Sequence, residues 1–174
     1  MIECSGVLHH MKDPGIGLSI LVDSLKATGF IKLGLYSKYA RQEILRAREL
    51  IKERKIKPNL DEIRSFRNDV LNGKITQLNE ITHWSDFYST SMCRDLCFHR
   101  QERCYSLIEI KHMIEAVSLD FLGFTLSKDL KDKYQRKNKD IESLKDLELW
   151  DQFEKTNRNC FKEMYQFWTR KSIK

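Results

Sequence analysis

The sequence predicts an α/β fold, and three stretches carry that prediction. The opening "MIECSGVL" (1–8) is short and apolar around Cys4 and Val7, as a strand covered on both faces would be. Asp13-Pro14 then gives a helix cap followed by proline at the first helical position, where its missing N–H does no harm. "FIKLGLY" (30–36) has strand composition directly after that helix. A strand-helix-strand succession implies parallel pairing through a right-handed crossover.

The remaining elements follow from periodicity and capping. Leu18, Leu21, Val22 and Leu25 form the apolar stripe of the first helix, with Gly29 as its stop. Ser37 can cap a helix running to about Lys55, with Ile44, Leu45 and Ile51 on one side. Pro58-Asn59 ends it and starts another, carrying Leu60, Ile63, Phe66, Val70 and Leu71 to Gly73. A third helical region covers "MCRDLCFH" (92–99). Ser106 and Glu109 then stand three apart as a capping box, opening a helix with Leu107, Ile110, Ile114 and Val117 inward. "LDFLGFTL" (119–126) returns to strand composition. Residues 127–139 read as a solvated helix or loop, and Leu144, Leu147, Trp150 and Phe153 as a helix. In "FKEMYQFWTRK" (161–171), Phe161, Met164, Tyr165 and Trp168 fit a helical period while the aromatic density fits a strand, and periodicity does not decide.

With 174 residues, 41% of them hydrophobic and 10% aromatic, the chain can bury a core of about one domain. No apolar run approaches the roughly 18–20 residues of a membrane helix. The first residues lack the basic flank and apolar core of a signal peptide, which points to the cytoplasm. Five cysteines without a Cys-x-x-Cys fit a reducing compartment. The net charge of +6 is mild and its two signs are interspersed, so it permits nucleic-acid contact without arguing for it.

Gly15-Ile16-Gly17 resembles a phosphate-binding turn, but Asp13-Pro14 has already begun the helix and Ile20 stands where a third glycine belongs. Close helix packing is the better reading of these glycines. His9 and His10 fall past the carboxyl end of the first strand, and Tyr36 past that of the second, where open parallel sheets bind ligands. A histidine there can orient a substrate or act as a base near neutral pH; packing under the following helix is the competing explanation. Cys93 and Cys97 have zinc-pair spacing, but His99 and Cys104 do not complete a set, and no metal is expected. The dense polar set Asp86, Arg94, Asp95, His99, Gln101, Glu102 and Arg103 beside Trp84, Phe87 and Tyr88 fits a pocket lining or a salt-bridged surface equally well.

Two blocks carry a family resemblance. "CSGVLHHMKDP" with "GFIKLGLYSKYAR" resembles the fourth and fifth strand regions of class I S-adenosylmethionine-dependent methyltransferases. "DFYSTSMCRDLCFHRQERCYSLIEIKHMIEAVSLDFLGF" resembles the substrate-side insertion of a bacterial branch that often carries tetratricopeptide repeats, and "CFKEMYQFWTRK" its final strand. The resemblance implies a partial Rossmann-like methyltransferase sheet, its carboxyl-terminal strands only, with a helical insertion. It implies one truncated domain over 1–174: a strand-helix-strand remnant at 1–36, the insertion at 37–118, and closing strands and helix at 119–174.

By the same resemblance, Ser5, Gly6 and His9 lie near the methionine part of S-adenosylmethionine. Tyr36, Arg94, His99 and Glu102 face the methyl acceptor, with His9 and His99 as candidate bases. Arg100 and Arg103 depart from the pattern, which has an aliphatic residue and a histidine there. The family's glycine-rich cofactor loop and its acidic ribose ligand have no counterpart in this sequence. The expectation is therefore weak or absent cofactor binding by this chain alone, and a partner: a chain supplying the missing half, or a second copy meeting the open edge of the first strand. Rival readings are a non-enzymatic interaction protein, and an RNA-binding module acting through Lys128, Lys131, Lys133, Arg136 and Lys137.

Overall fold

The structure, a computed structural model, describes residues 1–99 and 101–172. They form an α/β fold with one open four-stranded sheet, order β1-β2-β4-β3. The strands are β1 (Ile2–Ser5), β2 (Phe30–Leu35), β3 (Leu119–Phe124) and β4 (Tyr165–Lys171). β1 and β2 are parallel, Ile2 opposite Ile31 and Ser5 opposite Gly34, as a strand-helix-strand unit demands. β4, last in sequence, lies antiparallel between β2 and β3. The ambiguous closing segment is thus a strand. Tyr165, Phe167 and Thr169 are buried and alternate with half-buried Gln166 and Trp168, a period of two imposed by pairing on both edges.

The helices are α1 (Pro14–Ser24), α2 (Gln42–Glu53), α3 (Leu60–Leu71), α4 (Thr90–Phe98), α5 (Leu107–Glu115), α6 (Lys128–Gln135) and α7 (Leu147–Thr156). The Asp13 side chain accepts from the Ile16 N–H at 3.1 Å and so caps α1. Asn59 does the same for α3, and the Ser106–Glu109 box for α5 is complete in both directions. A Cβ on Gly17 would sit 2.6 Å from Met11 Sδ and 2.9 Å from Leu8 Cδ2, so this glycine serves close packing.

The chain divides into two compact units, 1–40 with 101–174 and 41–100. In the sheet unit, Ile31, Leu33 and Leu35 share a face and pack in one cluster with Leu18 of α1, Leu107, Ile110 and Ile114 of α5, and Trp150 and Phe153 of α7. The opposite face carries Phe30, exposed, and a Lys32–Glu3 ion pair at 3.0 Å. The helical unit has its own core of Ile44, Leu50, Ile63, Phe66, Val70, Phe87, Cys93 and Cys97. Residues 101–118, grouped on sequence with the helical insertion, cluster with the sheet because α5 buries its apolar stripe in the sheet core.

Three local expectations shift. β1 stops at Ser5, because Gly6 takes φ +75°, and His9 and His10 lie in a single 3-10 turn (Leu8–His10). Ser37 accepts from the Ala40 N–H at 3.0 Å, yet α2 begins only at Gln42. The lysine-rich stretch is helical at α6 and not simply solvated, since Tyr134 is fully buried and stacks on Trp150 at 3.6 Å.

Candidate functional site

The carboxyl ends of β1 and β2 gather the residues that the sequence pointed to in this unit. Ser5 closes β1 opposite Gly34, and the Gly6 N–H donates to the Gly34 carbonyl at 3.1 Å. Gly34 has to be glycine: a Cβ there would stand 2.7 Å from Met164 Sδ and 2.9 Å from Ser5 Cα. The Ser5 hydroxyl is shielded from solvent and makes no hydrogen bond.

His9 is only 1% exposed, and its ring lies 4.1 Å from that of Tyr36 and 4.3 Å from that of His10. It therefore packs as a buried ring against Tyr36 at the strand ends. The returning segment 101–105 seals this corner. The Arg103 N–H donates to the His9 carbonyl at 2.9 Å, and the Tyr105 N–H donates to the Tyr36 carbonyl at 2.8 Å. The backbone carbonyl of Gln101 is 3.1 Å from His10 Nδ1. Glu102 is half-buried on the same segment, and the Arg103 guanidinium lies 5.3 Å from the Tyr105 ring.

Arg94 and His99 belong to the helical unit; both are exposed, Arg94 on α4 and His99 as its C-cap. Arg100 lies outside the described residues. Cys93 and Cys97 are buried in the helical core, while Cys104 belongs to the sheet unit. Among the described residues, no group of three or more His, Cys, Asp and Glu could hold a metal ion. No helix among them is long and apolar enough to cross a membrane.

Sequence reasoning passed over one constellation. Glu154 of α7 is fully buried; its Oε1 accepts from Ser37 Oγ and its Oε2 from the Tyr165 hydroxyl, both at 2.5 Å. Burial pushes its carboxyl up to about 7, against the opposing pull of the Ser37 and Tyr165 hydrogen bonds, and Asp151 adds to the rise. The Tyr165 phenol is raised by burial and by the facing carboxylate. A signal was present. Glu154 stands four residues after Trp150 and seven after Leu147, which puts an acid on the apolar stripe of its helix.

No family model matches the chain. An uncharacterized protein of Synechococcus sp. is 30% identical over 135 residues, which are 71% of this chain and 31% of that protein. The structure of PKMT2 from Rickettsia typhi superposes on 98% of this chain with a TM-score of 0.65 at 14% identity. PKMT2 in complex with AdoHcy superposes on 99% with a TM-score of 0.62 at 15% identity. This chain covers 34% and 35% of those two chains, so it spans about a third of the length of the proteins it matches. The shared fold is the α/β, methyltransferase-like one that the sequence predicts.

Proposed function

We propose that this chain is the carboxyl-terminal portion of a class I S-adenosylmethionine-dependent methyltransferase of the repeat-associated branch. In this reading it acts together with a polypeptide that supplies the rest of the sheet. The observation that carries the reading is the sheet: two parallel strands joined by a helix, then a last strand entering antiparallel between the second and third. The superposition of nearly the whole chain on PKMT2, one of whose structures holds AdoHcy, supports it.

S-adenosylmethionine supplies a methyl group already activated by its sulfonium charge, which leaves orientation and water exclusion to the protein. Ser5 and Gly6 fit the border of such a cofactor, since the shielded Ser5 hydroxyl still lacks a hydrogen-bond partner. His9, held against Tyr36, is the candidate base for an acceptor that arrives protonated, and Tyr36 and Glu102 would face that acceptor. Arg94 and His99, the latter as a second candidate base, are assigned to the acceptor side by resemblance alone.

Calorimetric titration of the 174-residue chain with S-adenosylmethionine should give no saturable heat, because nothing in it corresponds to the family's glycine-rich loop or ribose ligand. Micromolar binding would overturn the partial-domain reading. A second reading, an interaction protein that pairs through β1, is favoured by one surface. Among the described residues β1 is hydrogen-bonded only to β2, and Val7 and Met11, which follow it, and Ile16 and Ile20 of α1 are exposed. Sedimentation tests this second reading. Self-association abolished by Ile20→Glu supports the interaction reading, and a monomer at all concentrations speaks against it.

A further inference from the structure

The buried Glu154 cluster does more than fill space, because its hydrogens cannot all stay in place when a proton is added. Ser37 Oγ already accepts from the Ala40 N–H at 3.0 Å and donates to Glu154 Oε1. The Tyr165 hydroxyl has one proton and two acceptors within reach, Glu154 Oε2 at 2.5 Å and the Tyr105 carbonyl at 3.3 Å. With Glu154 ionised, the tyrosine proton belongs to Oε2. A proton added to Glu154 keeps every donor used only if it sits on Oε2. It then points at the Tyr165 oxygen, and the tyrosine proton turns to the Tyr105 carbonyl. That carbonyl also accepts from the Lys38 N–H at 2.8 Å, while the Tyr105 N–H holds the Tyr36 carbonyl.

We propose that Glu154, Tyr165 and the Tyr105 carbonyl form a proton-operated hydrogen-bond switch that positions the Tyr36–Ser37 strand end, and through it the ring against which His9 packs. Glu154 is a positioning residue in this scheme, two contacts away from the candidate base. The charged and titratable groups around it are few. Asp151 on the same helix is itself held by Lys155 at 2.7 Å, with Tyr39 beside that pair. The Cys160 thiol, pushed up to about 12 by burial and by Glu154, stays neutral across the working range. The switch does not depend on the methyltransferase reading and is tested without cofactor.

The experiment is NMR of the whole chain between pH 5 and pH 9. The Glu154 carboxyl carbon should titrate near 7, and the Lys38 amide should follow with the same midpoint. Glu154→Gln presents an amide donor to Tyr165 and should hold the Lys38 signal at its low-pH position. Tyr165→Phe should silence the Lys38 response while Glu154 continues to titrate. In a variant carrying both His9→Gln and His10→Gln, which removes the two imidazoles that face Tyr36, the Tyr36 ring signals should still follow Glu154. A Lys38 titration that persists in Glu154→Gln or Tyr165→Phe, or a wild-type Glu154 carbon with its midpoint in the ordinary glutamate range, would overturn the proposal.

Discussion

Glu154 costs the folded chain free energy that builds up as the pH rises from its unfolded value to its folded one and then stays constant. In the folded state the carboxyl titrates at about 7, and its ordinary value is 4.5. Between these the folded chain holds a proton that the unfolded chain has released, so stability falls as pH rises through this window and is level on either side. At about 1.4 kcal/mol per unit the full loss is about 3 kcal/mol. Denaturant melts from pH 4 to pH 8 should show that decline, and Glu154→Gln should flatten it; an equal slope in the variant would contradict the assignment. Gly34 makes a second residue-scale prediction. Gly34→Ala drives a Cβ to 2.9 Å from Ser5 Cα, a backbone atom that cannot swing aside. It should cost about 1–3 kcal/mol in the same melts.

At the scale of elements, what was legible is what local chemistry fixes. Asp13-Pro14, Asn59 and the Ser106–Glu109 box each satisfy amides within a few residues, so the starts of α1, α3 and α5 could be read directly. Ser106→Ala should lower stability by about 1 kcal/mol in thermal melts. β4 was not decidable, because its alternation is forced by two neighbouring strands contributed by residues 30–35 and 119–124. The burial of Tyr134 was equally hidden: its stack on Trp150 and its 2.8 Å bond to the Ser143 carbonyl join separate elements across a polar surface pattern. The same division runs through the candidate site. Ser5, Gly6, His9 and Tyr36 were readable as strand ends, whereas Ser37, Glu154 and Tyr165 meet only after three elements assemble. An acid on an apolar stripe marks such a place, since it is buried only where partners come from elsewhere.

At the scale of the whole molecule, the division into two units makes a test of autonomy. The sheet unit is built from two separate stretches, 1–40 and 101–174. The two stretches meet where Ser37 bridges Tyr105 in parallel and the Lys38 N–H donates to the Tyr105 carbonyl at 2.8 Å, and Ala40 and Gln101 run from that bridge in opposite directions. A linker of about twelve glycine and serine residues, with a mean reach of about 19 Å, can span from Ala40 to Gln101 in place of residues 41–100. The sheet cluster recruits its apolar side chains from this unit, and the helical core recruits its own from α2, α3, α4 and the turns between them. The shortened chain should unfold cooperatively and keep the near-ultraviolet circular dichroism of the Tyr134–Trp150 stack. A 41–100 peptide of 60 residues sits at the size where a single core is marginal, so it should be helical with a broad, low-temperature melt. If the shortened chain shows no cooperative transition, the sheet depends on the excised helices for its folding, and the boundary at Arg41 and Gln101 does not mark an autonomous unit.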